Sequence, residues 1–177
     1  MDFFEVVAKR HSYRGGFKDL KPKDVDLIEI VEAGLKAPSG KNAQTTEFVI
    51  IDDSAIISQI RAMPAANKAI QQAGAYIVCI IDKNPEAIYE GFSFQLEDCA
   101  AAVENMLLAV TALGYASVWV DGWLRVEGRA DKIAKLIHLP ENKKIQIILP
   151  IGIPAEIMGV PRKKPFAERA WFNSFKS

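Results

Sequence analysis

Two arginines and a serine lie within five consecutive residues near the start of the chain, in the segment Arg10-His11-Ser12-Tyr13-Arg14. A guanidinium forms bidentate, charge-assisted hydrogen bonds with phosphate-like groups, and a serine hydroxyl adds a short neutral one. The segment therefore predicts a site for a phosphate or another delocalised anion. The alternative is a basic helix end, because cations at a helix C-terminus interact favourably with the helix dipole.

The residues before this segment predict the helix that positions it. Asp2 and Glu5 have the spacing of a capping box, so we expect a helix that starts there. This helix is expected to be two to three turns long. Arg10 and His11 are expected in its last turn.

A second helix is predicted between two prolines, because Pro22 suits a first helical turn and Pro38 cannot continue a helix. We expect one face of it to carry Val25, Ile28, Val31 and Leu35. β-rich and uninterrupted apolar runs predict strands at 45–51, 75–82, 116–120 and 144–152. Helical patterns predict helices at 54–63, 65–72, 92–113 and 126–137.

This order of elements predicts a mixed α/β or α+β layer fold in which helices cover a small sheet. A length of 177 residues suits one domain, which we expect to span residues 1–177. Its last part, residues 154–177, contains prolines, a basic run and a few aromatics. We expect this part to be an extended C-terminal arm.

Composition excludes several classes of function. Lys+Arg and Asp+Glu both number 22, and this balance argues against a nucleic-acid-binding protein. Cys79 and Cys99 lie in apolar stretches without CxxC spacing, which predicts two buried, reduced thiols in a reducing cytosol. No stretch has the pattern of a signal peptide or a membrane span, so a cytoplasmic protein without membrane contact is expected.

Motifs for catalysis by side chains are missing. The sequence has no GxGxxG, no GxSxG and no metal-ligand spacing around His11 or His138. Gly40-Lys41-Asn42 resembles the end of a P-loop, but Asn42 replaces the Ser or Thr that would bind magnesium. We therefore expect no catalytic side chain and no metal, and a cofactor would have to carry any chemistry.

Three further segments combine with residues 10–14. They are Pro38 to Gln44, Ser117 to Trp123, and Leu149 to Gly152 followed by the basic run 161–165. In this order and at these separations, the set resembles the FMN-dependent nitroreductase family, from about Phe3 to about Trp171. The resemblance implies an α+β fold, namely a nitroreductase-like three-layer sandwich with a small mixed sheet covered by helices. It also implies an intertwined homodimer with FMN sites at its interface.

The resemblance also implies a role for each residue of the first segment. Arg10 and Ser12 would hold the phosphate and ribityl end of FMN. Arg14 would lie beside the N1/O2 edge of the isoalloxazine ring, where a fixed cation stabilises negative charge. His11 would contribute by packing or through its backbone.

The other implied cofactor-binding residues come from four places in the chain. Asn67 would hydrogen-bond the pyrimidine edge of the flavin, and the basic residue that closes on the phosphate would be Lys163 or its neighbour Arg162. The partner subunit would contribute the second segment, with Pro38, Ser39, Asn42 and Gln44. The third segment would pack on one flavin face and place a backbone N–H near N5, through Trp119, Asp121 and Gly122.

The function implied by this resemblance is an FMN-dependent oxidoreductase that works by a ping-pong cycle. NADH or NADPH would deliver hydride to flavin N5, and a nitroaromatic, quinone or similar electron-poor small molecule would then accept it. One alternative is a flavin-binding storage or sensor protein without nicotinamide turnover. The other is an apo structural dimer that has kept the fold and lost the site.

Overall fold

The structure is a computed structural model, and it describes residues 1–65 and 67–175. A short 3₁₀ turn, Gly40–Asn42, follows the second helix. The helices are α1 (Phe3–Lys9), α2 (Asp24–Leu35), α3 (Ser54–Arg61), α4 (Lys68–Gln72), α5 (Gln95–Ala112), α6 (Arg129–Leu136) and α7 (Phe166–Arg169). The strands are β1 (Glu47–Ile51), β2 (Ala75–Asp82) and β3 (Lys143–Ile151).

The three strands form one sheet in the order β1-β2-β3. Both pairings are antiparallel, whereas the sequence predicted a mixed sheet. Among the described residues, the predicted strand at 116–120 forms only two isolated bridges, from Val120 to Ile148 of β3 and from Ala116 to Gly152, directly after β3. Between these bridges the carbonyl of Ser117 accepts a hydrogen bond from Tyr13 instead of pairing with a strand. This segment is therefore held from two sides without being a regular strand.

The central strand β2 is buried on both faces, which makes the fold a three-layer α+β sandwich. One face packs against α2 and α5 and contributes Ala75, Ile77, Cys79 and Ile81 to that core. The opposite face packs against α3, α4 and α6 and contributes Tyr76, Val78 and Ile80. Cys79 and Cys99 are free and buried, as predicted, and burial raises the pKa of the Cys79 thiol well above its usual value.

The capping box predicted at the first helix is present, with Asp2 and Glu5 each binding the other's backbone N–H. The helix ends at Lys9, however, and Arg10 is its C-cap. The prediction that Arg10 and His11 lie in the last helical turn was therefore wrong. Arg10 has the extended backbone of a residue that leaves the helix, so the basic segment starts as a loop.

The predicted face of the second helix is not its buried face. Helix α2 begins at Asp24 rather than at Pro22, and it buries Leu27, Ile30 and Gly34. Gly34 explains why this face of α2 is buried, because a Cβ at Gly34 would lie 2.8 Å from Cγ of Met106 on α5. The close approach of α2 and α5 at this glycine turns three apolar residues of the predicted face to the surface: Val25, Ile28 and Leu35.

Residues after β3 run over the surface with little regular structure. Within 154–175 the regular element is the single turn α7, and most side chains are exposed. Residues 176 and 177 of the expected arm, and Ala66 of the predicted helix 65–72, lie outside the described residues. Within the described ranges, no helix combines the length and the apolar character that crossing a bilayer requires.

Candidate functional site

Tyr13 anchors the basic segment to the rest of the protein. Its backbone N–H donates to the carbonyl of Ser117 over 2.9 Å, and its hydroxyl donates to the carbonyl of Gly16 over 2.6 Å. The ring is only 1% exposed and stacks on Phe17 with the ring centroids 5.2 Å apart. The residues on either side of Tyr13 are thereby held at the surface beside the 117–123 segment.

The two arginines of the segment differ in their surroundings. The guanidinium of Arg10 pairs with Glu104 of α5 over 3.1 Å, and 21% of its side chain is exposed. Arg14 is exposed and donates only a long hydrogen bond, 3.4 Å, to the carbonyl of Ser12. Among the described residues Arg14 forms no ion pair, so its charge is available to a ligand.

Five of the predicted site residues line a single open cavity of about 240 Å³. Its wall also includes the apolar residues Ile70, Val118 and Val120 and the indole of Trp123. A cation, an amide and an aromatic ring therefore surround one apolar surface, which forms the floor of the cavity. The predicted residues that meet here are Arg14, Asn67, Trp119, Asp121 and Gly122.

The amide of Asn67 also has a structural task. Its Oδ1 accepts a hydrogen bond from the backbone N–H of Ala69 over 3.0 Å and so caps α4. This bond fixes the rotamer and leaves the amide NH₂ as the group that can reach a ligand in the cavity.

The 119–123 segment is held by interactions that sequence reasoning missed. The carboxylate of Asp121 accepts two hydrogen bonds of 2.7 Å from Arg125. The indole N–H of Trp123 donates to the carbonyl of Pro64 over 2.8 Å. The guanidinium of Arg129 lies 5.1 Å from the centre of the Trp123 ring and donates to its carbonyl over 3.1 Å. No sequence motif marks Arg129, because these partners come from tertiary contacts.

The second predicted segment does not line this cavity within one protomer. Pro38 and Ser39 line a separate cavity of about 150 Å³, together with Gln44. Ser39 accepts a hydrogen bond from the backbone N–H of Gln44 over 3.0 Å, and Asn42 is exposed. The segment therefore forms its own compact loop next to α5.

The two basic residues predicted from the tail also lie apart from the first cavity. Arg162 and Lys163 are exposed in the C-terminal segment. Neither forms an ion pair with any residue that the structure describes. Within one protomer, neither of them lines the cavity that contains Arg14.

Two buried polar atoms in this region have no hydrogen-bond partner among the described residues, namely His11 Nε2 and Ser117 Oγ. His11 Nδ1 lies 2.9 Å from the carbonyl of Lys9, so Nδ1 is the donor of this bond, and in the neutral imidazole Nε2 is then an acceptor. Buried polar groups are normally satisfied, so both atoms are suited to a polar ligand. With the arginines and Ser12, this donor and acceptor set fits a ligand that has a phosphate, hydroxyls and a ring.

Similar sequences identify the family of the chain. The sequence pattern of the Nitroreductase family matches residues 7–76 and 58–153, which is most of the chain. The chain belongs to the nitroreductase family. Membership identifies the chain as an oxidoreductase and confirms the resemblance that the four segments predicted.

Relatives of this nitroreductase-family chain come from bacteria and archaea. An Archaeoglobus fulgidus protein, provisionally named NADH dehydrogenase/NAD(P)H nitroreductase, is 29% identical over 86% of this chain and 85% of its own length. A Bacteroides thetaiotaomicron crystal structure with the same provisional name is 27% identical, covers 98% of both chains and has a TM-score of 0.81. A Bacteroides fragilis nitroreductase with bound FMN shares the fold, with a TM-score of 0.78, 22% identity, and coverage of 98% of this chain and 100% of its own.

Proposed function

We propose that this chain is an FMN-dependent oxidoreductase that takes hydride from NADH or NADPH and passes it to electron-poor small molecules such as nitroaromatics and quinones. The observation that carries the proposal is the convergence of Arg14, Asn67 and the 119–122 segment on one cavity. Support for FMN comes from the Bacteroides fragilis nitroreductase of the same fold. The names of related proteins support a nicotinamide reductant.

The phosphate end of the ligand would bind at Arg10 and Ser12. A dianionic phosphate accepts two parallel hydrogen bonds from a guanidinium, and it competes well with the single half-exposed carboxylate of Glu104. His11 Nε2, a buried acceptor, suits a ligand hydroxyl. Lys163 or Arg162 would add a second cation.

The ring end would lie over the cavity floor, between Arg14 and the 119–122 segment. FMN, when bound, supplies the atom that accepts and donates hydride. The fixed charge of Arg14 would stabilise negative charge on the pyrimidine side of the ring. Gly122 has open space where a side chain would be, so no side chain of its own keeps a ring away from its backbone.

A homodimer would complete this site by bringing the 38–44 segment of a second copy to the cavity. We propose that the chain is a single domain and that the segment 154–177 is its C-terminal arm. Large apolar side chains are exposed on α1, on α2 and in this arm. Exposed apolar groups on this scale favour association with a partner, and a two-fold dimer buries matching surfaces of both copies. The exposed apolar residues are Phe3, Phe4, Val25, Ile28, Leu35, Phe166 and Phe172.

Free, buried Cys79 and Cys99 fit the reducing cytoplasm that we propose as the compartment.

An anaerobic stopped-flow experiment tests the function. Purified protein loaded with FMN is mixed with NADH or NADPH, and the flavin absorbance is followed before an acceptor panel is added. Bleaching by at least one nucleotide and reoxidation by a nitroaromatic or a quinone are expected. A yellow protein that neither nucleotide bleaches would instead be a flavin store or sensor. A protein that takes up no FMN would overturn the proposal altogether.

A further inference from the structure

One buried carboxylate lies outside the residues assigned to the proposed site. Asp98, in the first turn of α5, is only 6% exposed. It forms no ion pair with any part of the chain that the structure describes. A carboxylate removed from water without a cation is costly unless hydrogen bonds satisfy it, so the partners of Asp98 indicate its purpose.

Both oxygens of Asp98 bind the loop that contains the 38–44 segment. The backbone N–H of Gly40 donates to Oδ1 over 2.9 Å, and the hydroxyl of Thr45 donates to Oδ2 over 2.7 Å. A further bond, from the N–H of Gln44 to the hydroxyl of Ser39, closes the loop internally. The carboxylate therefore joins two points of the loop that lie five residues apart.

Three of the four residues between these two points have strained backbones. Lys41, Asn42 and Gln44 have φ values of +48°, +57° and +52°. Side chains other than glycine seldom adopt this left-handed region, and they persist there only when their surroundings hold them. Gly40 is also packed tightly, because a Cβ there would lie 2.6 Å from the ring of Phe94. Strain of this kind concentrates at ligand-binding sites.

We propose that Asp98 is the positioning residue for the second half of the site. By binding Gly40 and Thr45 together, it holds the strained segment in the conformation that presents Ser39 and Asn42 to the ligand. This inference rests on the proposed function, which assigns those two residues to the cofactor. Asp98 itself acts only through the loop.

The first test needs no flavin. Lys41 is exposed inside the strained segment, so trypsin cleavage after it reports how often the loop opens. Asp98→Ala removes both hydrogen bonds and should speed cleavage about tenfold. Asp98→Asn should cleave like the parent protein, because the amide oxygen accepts from Gly40 and the amide N–H donates to the hydroxyl oxygen of Thr45.

The second test measures FMN affinity by fluorescence quenching and the visible circular dichroism of the bound flavin. Asp98→Ala should weaken binding about tenfold and change the dichroism, whereas Asp98→Asn should rescue both. Thr45→Val removes one of the two bonds with little change of shape and should have a smaller effect in the same direction. It also replaces Asp98→Ala if that variant does not fold.

Asn105→Ala is the matched structural control. Asn105 lies on the same helix, and its side chain donates a hydrogen bond to the carbonyl of Ala33 on α2 over 3.1 Å. Asn105→Ala should lower the melting temperature and leave both FMN affinity and cleavage after Lys41 unchanged. Equal losses in Asn105→Ala and Asp98→Ala, or no rescue by Asp98→Asn, would overturn the positioning role.

The two tests separate this inference from the proposed function. A parent protein that binds no FMN would refute the proposed function and with it the ligand role of Asp98. Unchanged cleavage in Asp98→Ala and Thr45→Val, in a protein that does bind FMN, would refute the role of Asp98 alone.

Discussion

The backbone N–H of Tyr13 donates a hydrogen bond to the carbonyl oxygen of Ser117, with the two atoms 2.9 Å apart. This bond joins a loop at the start of the chain to a segment more than a hundred residues later. The next residue, Arg14, consequently shares a cavity with Trp119 and Gly122. The first prediction follows from this neighbourhood.

Arg14→Ala should weaken FMN binding and slow anaerobic flavin reduction. A charge-assisted hydrogen bond contributes about 1.5–3 kcal/mol, so we expect a loss of affinity of at least about tenfold. Arg14→Lys keeps the charge but loses the planar, bidentate geometry. Its FMN affinity should therefore lie between that of the parent protein and that of Arg14→Ala. Lys18→Ala, an exposed cation four residues further on, is the control. Flavin reduction at the parent rate in Arg14→Ala would contradict the assignment.

Two glycines should separate stability from ligand binding. A Cβ at Gly152 would lie 2.5 Å from Cγ of the buried Phe17, whereas a Cβ at Gly122 would meet nothing within 4 Å. Gly152→Ala should therefore lower the free energy of unfolding by about 1–3 kcal/mol through overpacking. Gly122→Ala should leave stability unchanged and weaken FMN binding, because the new methyl group occupies the proposed ring face.

Urea unfolding and fluorescence titration with FMN measure the two quantities on the same samples. Gly159→Ala, at another position with open space around it, should change neither. Parent-like FMN affinity in Gly122→Ala would remove the 119–122 segment from the proposed ring site.

Lys143 should contribute stability that disappears at alkaline pH. Its ammonium group lies 2.6 Å from Glu47 and 2.9 Å from Asp82, and so it links β3 to both other strands. The hydrogen bond to Glu47, and then that to Asp82, raises the pKa of Lys143 above the usual 10.5. The stabilisation is therefore complete below pH 10.5 and is lost as the pH rises through the higher pKa of the folded state.

The comparison of Lys143→Met with the parent protein by urea unfolding checks this prediction. The pairs are partly exposed, so the variant should be less stable by no more than about 1 kcal/mol at neutral pH. The difference should vanish at strongly alkaline pH. Burial also raises the pKa of Tyr76, and this shift lowers the stability of the folded protein at high pH. The loss is the same in Lys143→Met and in the parent protein, so it cancels when their stabilities are compared. A difference that does not depend on pH would exclude the charge pairs as its source.

Removal of the residues after Pro165 should weaken the proposed dimer. The deletion takes away Phe166 and Phe172, which are 64% and 83% exposed in the single chain. Burial of two phenylalanines contributes about 3–6 kcal/mol to association, and sedimentation velocity should show a shift toward monomer with loss of FMN. Phe172→Ser in the full chain should weaken the dimer in the same way but to a smaller extent. A truncated protein that remains a stable, flavin-loaded dimer would contradict the role of the arm.

Local sequence determined most of the helices and strands. The capping box at Asp2 and the continuous apolar run of β2 depend on interactions within a few residues, so their patterns predict them directly. The resemblance to the nitroreductase family implied that Arg14 and the 119–122 segment belong to one site. They do share one cavity.

Only the tertiary structure decided which side of α2 is buried and how the site residues are held. Two apolar stripes on α2 satisfy the same helical spacing, and the contact of Gly34 with Met106 selects the one that faces the core. The bond from Tyr13 to Ser117, the contact of Arg129 with Trp123 and the hydrogen bonds of Asp98 each join residues that are distant in the chain or unmarked by any motif. Sequence spacing determines what lies along one element, whereas such pairings depend on how the elements pack against each other.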